Sequence, residues 1–389
     1  MKVPFAIPEC GDDEISEVAE VIRSGWLTTA GRCARFEEDF RDYVGARHAL
    51  AVNSATAALH LGLEALGIGV GDRVLVPTFT FTATAEVVRY LNADPVFVDC
   101  SRDTFCMTKD TLETAMRRLS DDARKTVKAV IPVHFGGHPC DIDSVLEFAH
   151  AHGLRVMEDA AHALPTKYDG RVVGTFGDVT CFSFYANKTI TTGEGGMLCT
   201  DSDEIATRVK AMRLHGINRD IWDRFSTGAS WEYDVVAPGF KYNMPDMAAA
   251  LGIHQLRKVE KFRRSRQRIA EIYYEGLANI SGLILPACHC AMEDHSWYLY
   301  MVLIDFEATH NGLTRDTVIE ELATREIGTS VHYKPLHRMS YYRDSYTLER
   351  TMFPNAEWVF ARCVSLPMCS AMTEAQARYV VESLKEILS

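Results

Sequence analysis

One lysine, Lys188, stands between the apolar run Val179 to Phe184 and the glycine-rich turn Gly193 to Gly196. A lysine amine is a weak nucleophile while protonated, but in a partly apolar site its pKa falls and the free amine can form a Schiff base with an aldehyde. Taken alone, Lys188 reads more readily as an exposed loop residue, so the chemistry depends on partners elsewhere. Three further stretches supply partners. Glu158 and Asp159 close a second apolar run, and because side chains alternate across a strand only one of them can face a given pocket. A carboxylate there could pair with a pyridine nitrogen and keep it protonated, so that the ring draws electrons from a substrate carbon; it could also simply cap the following helix. Asn53, Ser54, Ala55 and Thr56 lead from a third run into a helix carrying Leu59, Gly62, Leu63 and Leu66 on one face. A helix start offers free amides and a positive dipole end to a phosphate, with hydroxyls from Thr56 and Ser183 in reach, or else only an N-cap at Ser54. Phe81 follows a fourth run and could lie flat on a ring or fill the core. Aldehyde, pyridine nitrogen and phosphate together describe pyridoxal 5′-phosphate.

The elements that must bring these residues together are short. Seven runs rich in aliphatic and β-branched residues, Ala49 to Val52, Arg73 to Val76, Pro95 to Val98, Ala129 to Val133, Leu154 to Met157, Val179 to Phe184 and Met197 to Cys199, are too brief for helices. Helical patterns separate most of them: Thr56 to Leu66, Thr84 to Leu91, Lys109 to Leu119 and Ile142 to His152. Strands alternating with helices, and uniformly apolar, predict an α/β fold with a mostly parallel sheet covered on both faces. In such sheets ligands bind beyond the carboxyl ends of the strands, where all four chemical stretches fall. Two N-terminal helices are expected first, one placing Ile15, Val18, Ala19 and Ile22 on one face and ending at Gly25, the other from about Ala34 to Val44. After a helix ending near Leu214, a long loop is expected from His215 to Trp231. A long helix from Pro245 to Leu277 carries basic residues from Arg257 to Arg268, read as a solvated face because glutamates are interspersed. Strands at Ser296 to Ile304 and Ile327 to His332 and a last helix from Thr373 to Leu388 complete a smaller α+β unit. The domains expected are residues 1–240 and 241–389.

Bulk properties narrow the function. The 389 residues carry a formal charge of −12, the opposite of what a nucleic-acid surface needs. The eleven cysteines are an odd number, scattered and without a C-x-x-C pair, which points to a reduced, cytoplasmic setting. Cys288, His289 and Cys290 lack a second cluster to complete four ligands, so no metal is expected. Acidic residues interrupt the N-terminus before a secretory signal can form, and no apolar run is long enough to span a membrane.

These residues resemble a known family over nearly the whole chain: the DegT/StrS pyridoxal-phosphate-dependent sugar aminotransferases, with the aspartate aminotransferase type of fold. The resemblance lies in Ser-Gly-Trp-Leu-Thr from Ser24, Asn-Ser-Ala-Thr-Ala-Ala-Leu from Asn53, Glu-Asp-Ala-Ala-His from Glu158, the stretch from Ser183 to Gly196, and Gly-Phe-Lys-Tyr-Asn-Met from Gly239. It implies that Lys188 anchors the cofactor and shuttles a proton, Asp159 holds the pyridine nitrogen, Phe81 stacks on the ring and His162 lies near its hydroxyl. Ala55, Thr56 and Ser183 are then the phosphate contacts, with Asn243 reaching over from a second subunit of a homodimer. The C-terminal half looks closest to the branch that aminates C4 of nucleotide-linked keto sugars, through His215-Gly-Ile-Asn, Trp222-Asp-Arg224, the segment Ile327 to Tyr333, Leu336-His337 and Ser365-Leu-Pro. Thr28, Arg224, His332, Tyr333 and Lys334 become candidate sugar-nucleotide contacts, with Arg224, Lys334 and Arg338 as cations for a diphosphate. L-glutamate is the implied amino donor. A C3-keto sugar or a cyclitol ketone is the alternative acceptor, and a cofactor-binding regulatory protein without turnover the alternative class. The chain departs from the family's usual glycines at Ala55 and Pro165.

Overall fold

All seven apolar runs become strands of one sheet. The computed structural model describes residues 1–217, 233–308 and 313–388. The strands are β1 (His48–Val52), β2 (Arg73–Pro77), β3 (Asp94–Val98), β4 (Val127–Val130), β5 (Arg155–Asp159), a separate small hairpin of β6 (Lys167–Tyr168) and β7 (Arg171–Val172), then β8 (Val179–Ser183) and β9 (Gly196–Thr200). The sheet order is β1-β9-β8-β5-β4-β2-β3. Only β9 runs against its neighbours, so the carboxyl ends of β1, β2, β5 and β8 share one edge.

The alternation of side chains decides what each face carries. Leu50, Val52, Cys181 and Leu198 join one apolar cluster, whereas Ala49, Ala51, Phe182, Met197 and Cys199 join another. Helices α1 (Asp12–Ser24), α2 (Gly31–Val44), α3 (Ala55–Ala65), α4 (Ala83–Tyr90), α5 (Lys109–Arg117), α6 (Asp121–Lys125), α7 (Ile142–His152) and α8 (Asp203–Met212) fill the first part of the chain. Of these, α3, α4 and α8 supply the first cluster and α2 the second. The apolar face expected on α1 is not core in this chain. Ile15 and Ile22 are exposed, and the helix buries Glu14 and Val21 instead.

The long helix α9 (Asp246–Leu277) serves two cores. Its first half packs Ala249, Ile253 and Phe262 with Phe36 and Phe40 of α2, and its second half packs Ile269, Tyr273 and Leu277 with a smaller antiparallel sheet. Around that sheet, β10 (Leu283–Ile284), β11 (Tyr300–Ile304) and β12 (Cys363–Leu366), pack α10 (Arg315–Thr324), α12 (Pro354–Arg362) and α13 (Glu374–Leu388), while α11 (Ser340–Tyr346) sets Tyr342 and Tyr346 against Phe97 of β3. Val3 from the N-terminus also enters this core.

Three expectations are corrected here. Residues 296–299 are not strand, because their backbone bonds cross to the larger unit: Ser296 N donates to Thr166 Oγ1 and Leu299 N to Gly136 O. The run Ile327 to His332 makes only isolated bridges, Val3 to Ile327 and Ser330 to Ser365, since its neighbours touch it at single residues. On α9, Lys258, Lys261 and Arg268 do reach acidic partners, Glu14, Glu9 and Glu374, but Arg266 turns inward and is 2% exposed.

Close approach of α9 to α2 requires Gly252, where a Cβ would lie 2.6 Å from the fully buried Phe36 ring. That ring is wedged against Phe40 and Phe184 and cannot yield. Gly252→Val should therefore destabilise the fold by roughly 1–3 kcal/mol, read as a lowered urea midpoint at unchanged slope.

Candidate active site

The four chemical stretches meet at the common strand edge around a cavity of about 330 Å³. Ala55, Thr56, Phe81, Asp159, His162, Ser183 and Lys188 line it from the larger unit, and His332 and Tyr333 from the smaller one.

Lys188 follows β8, with its backbone N–H bonded to Tyr185 O in a turn. Burial pushes its amine down to about 7, against the opposing pull of the Asp159 charge and with help from the charge of Arg266. Near neutrality about half of such an amine is free of its proton, the state required for attack on a carbonyl.

Strand alternation sends the two carboxylates of β5 to opposite sides. Glu158 is fully buried away from the cavity, where its Oε1 accepts from Gly177 N and Thr180 Oγ1, both at 2.8 Å, and its Oε2 meets His134 Nε2 at 2.9 Å. His134 Nδ1 accepts from Cys140 N, so the Nε2 position carries the proton that Glu158 receives. Despite its burial, these donors hold Glu158 below the usual carboxylate range. Asp159 faces the cavity, held by Thr84 Oγ1 at 2.8 Å and Ala161 N at 3.1 Å. Burial raises its pKa, an effect that a cationic ring nitrogen opposite it would reverse.

His162 Nδ1 accepts from Gly136 N at 3.2 Å, which leaves the proton on Nε2, 3.1 Å from Tyr333 Oη. Burial and the nearby Lys188 charge keep this imidazole neutral. The same causes push His332, bonded to Ser365 Oγ at 2.9 Å, down to about 4. Phe81 is 55% exposed at the rim, its ring 5.9 Å from that of Tyr333.

The opposite end of the cavity is the start of α3. Ser54 caps it by accepting from Ala57 N at 3.1 Å, and the first helical amides, of Ala55 and Thr56, have no intrahelical acceptor. Gly196 is required beside them, since a Cβ there would meet the Ser54 carbonyl at 2.6 Å and Ala55 N at 2.7 Å. These residues fit pyridoxal phosphate: free amides for a phosphate, a fixed carboxylate for a ring nitrogen, and a deprotonated amine for an aldehyde.

Other expected residues lie elsewhere. Thr28 is exposed and Asn243 donates from Nδ2 to Thr29 Oγ1 at 2.6 Å, so neither lines the pocket of its own chain. Lys334 is exposed outside the cavity, and Arg224 lies outside the described residues. Arg338 is not available to a diphosphate, because its guanidinium grips Glu357 and covers the Phe360 ring. Sequence reasoning missed Thr84 and Tyr298. Thr84 carries no local signal, and Tyr298 was concealed in a run read as strand. Cys288 and Cys290 place their thiols 3.9 Å apart while His289 turns to Asp103; among the described residues no group of three or more His, Cys, Asp or Glu is arranged for a metal ion.

A buried lysine and a strand-end carboxylate beside an open helix start, at the edge of a mostly parallel sheet, define a pyridoxal-phosphate enzyme. The chain belongs to the DegT/DnrJ/EryC1/StrS aminotransferase family, which matches residues 8–385. It is 42% identical over 389 residues to the spore coat polysaccharide biosynthesis protein SpsC of Bacillus subtilis, covering 99% of this chain and 97% of that one. It is 45% identical over 386 residues to the uncharacterized protein MJ1066 of Methanocaldococcus jannaschii, covering 99% and 97%. The fold is similar to that of Spr1654 from Streptococcus pneumoniae, assigned as a sugar aminotransferase, with a TM-score of 0.89, 32% identity and 99% of each chain covered; that protein is solved in both its pyridoxamine-phosphate and pyridoxal-phosphate forms. The protein is thus a pyridoxal-phosphate-dependent sugar aminotransferase, taking an amino donor and a sugar. No helix of the described residues is long and apolar enough to cross a membrane.

Glu158→Ala would leave three buried donors unsatisfied and should cost at least about 2 kcal/mol in urea unfolding. Because the folded-state pKa of Glu158 lies below its ordinary 4.5, its stabilisation is complete above that pH and disappears as the pH falls below it. The gap between wild type and Glu158→Ala should therefore narrow in acid.

Proposed function

We propose that this aminotransferase carries the amino group of L-glutamate to a nucleotide-diphosphate-linked 4-keto sugar and releases a 4-amino sugar nucleotide. The observation that supports it best is the Lys188 amine, buried in one cavity with Asp159 and poised near 7. When bound, pyridoxal phosphate supplies the electron sink that makes a proton on the substrate carbon removable. Asp159 would hold the ring nitrogen, His162 would lie by the ring hydroxyl and Phe81 on the ring face. Ala55, Thr56 and Ser183 would hold the phosphate. Lys188 can take a proton at Nζ and return it at the same pH, which is what a shuttle needs.

Support for the nucleotide sugar comes from relatives. SpsC is named for polysaccharide biosynthesis, and PseC of Helicobacter pylori, 25% identical with a TM-score of 0.88, is described as an aminotransferase in the biosynthesis of pseudoaminic acid. Support for C4 is the resemblance of the His332-Tyr333 segment, whose side chains line the cavity. A homodimer is favoured by the position of Thr28 and Asn243 outside their own pocket, and by the exposure of Ile15, Ile22 and Leu27, apolar side chains that a second copy would cover. Asn243 would then meet the phosphate of the partner's cofactor, and Thr28 the sugar nucleotide, with Lys334 and Arg224 offering charge to the diphosphate. Free thiols at all eleven cysteines favour a reducing, cytoplasmic setting.

Lys188→Ala should abolish turnover and the absorbance of covalently bound cofactor together; an active variant would sink the assignment. Since the amine must be free to react, cofactor uptake by the apo-enzyme should speed up as the pH rises through about 7 and then level off. The acceptor is tested by mixing the pyridoxamine form with nucleotide-linked 4-keto sugars, 3-keto sugars and cyclitol ketones. The 4-keto sugars should restore the pyridoxal spectrum fastest, and restoration only by another class would replace this acceptor.

A further inference from the structure

Arg266 is a buried guanidinium that meets no carboxylate among the described residues. Its Nη1 donates to three backbone carbonyls, Trp297 O at 3.2 Å, Tyr298 O at 3.4 Å and Met368 O at 3.2 Å, and its Nε finds no acceptor there. Burying a charge this way is strongly unfavourable unless the surroundings require it. A second irregularity sits at the same place. Trp297 has a φ of 48°, in the left-handed region that a bulky residue rarely adopts.

Both features act on the turn from Ser296 to Leu299. Ser296 Oγ donates to His162 O at 2.8 Å, and Leu299 N donates to the carbonyl of Gly136, whose own N–H holds the His162 ring. Between these ties the turn presents Tyr298. Its ring lies 4.3 Å from Lys188 Nζ and 4.4 Å from the His162 ring, centroid to centroid for the latter, and its Oη donates to Asn187 Oδ1 at 3.2 Å.

We propose that Arg266 is a positioning residue that, by gathering three carbonyls, holds the strained turn which sets the Tyr298 ring against the Lys188 amine and keeps water from it. The inference rests on Lys188 being the reactive amine and is independent of the sugar. Two effects of the ring oppose one another. Its face attracts a cation and so favours the protonated amine, whereas exclusion of water favours the neutral one. Exclusion wins, since Lys188 stands near 7. The titratable groups sharing its cavity are Asp159 and His162 from the β5 end, Tyr185 and Glu194 from its own loop, and His332 and Tyr333 from the smaller unit. Of the charges around it, that of Asp159 opposes the lowering and that of Arg266 adds to it.

The test needs neither cofactor nor turnover. Apo-enzyme is labelled competitively with trace acetic anhydride across a pH series, and the Lys188 peptide is quantified by mass spectrometry. The wild-type midpoint should lie near 7, and Tyr298→Phe, which keeps the ring, should leave it there. Tyr298→Ser should admit water and raise the midpoint by about one unit or more. Arg266→Lys keeps a charge without the three-carbonyl grip and should also raise it; Arg266→Gln, losing both, should raise it further. Circular dichroism checks folding, and if the Arg266 variants do not fold the Tyr298 pair decides. A midpoint unchanged in Tyr298→Ser, or in a folded Arg266→Lys, overturns the proposal. A wild-type midpoint near 10.5, by contrast, overturns the assignment of Lys188 itself.

Discussion

The desolvation of one amine organises this molecule. Lys188 must be buried deeply enough to lose its proton near neutrality and still face an open cavity, a pair of demands that a loop on a single domain does not readily meet. The fold meets them by placing the lysine at the edge of the large sheet and closing over it with residues of the smaller unit. Tyr298, His332 and Tyr333 all come from that second unit. The long helix α9, threaded through both cores, therefore does more than connect them: it fixes the spacing on which the burial of the amine depends.

The same strand edge separates two carboxylates that are neighbours in the chain. Glu158 is surrounded by donors and locked into the scaffold, whereas Asp159 is held by fewer bonds and left open to the cavity. Chemical type is identical; direction across the pleat assigns the role. The neutral imidazoles of His162 and His332 follow from the same exclusion of water, with burial as the main cause and the nearby Lys188 charge as the second.

Much of this was legible from the residues. The seven strands and the helices between them followed from the length and apolarity of each run, since a strand covered on both faces needs nothing but apolar side chains. The core of the site was legible for a related reason: Lys188, Asp159 and Thr56 each follow such a run and Ser183 lies at the end of one, so topology alone brings them to one edge. The turn at Ser296 was not legible. Its residues have strand-like side chains, but their backbone partners, Thr166 and Gly136, come from a different part of the chain. Arg266 was misread because the residues around it on α9 do form a charged face, and nothing in a helical repeat reveals which basic residue is turned inward. Thr28 and Asn243 belonged to the expected site by resemblance, yet stand apart from their own cavity.

By itself, then, the sequence determined the class of fold, the location of the strand-end chemistry and the family, because these depend on local patterns of side-chain type. Tertiary structure alone decided which carboxylate enters the pocket and which aromatic ring covers the lysine. It also decided that one arginine among many is buried. Those outcomes depend on contacts between residues far apart in the chain, where burial and geometry set the energy and the local pattern carries no information about them.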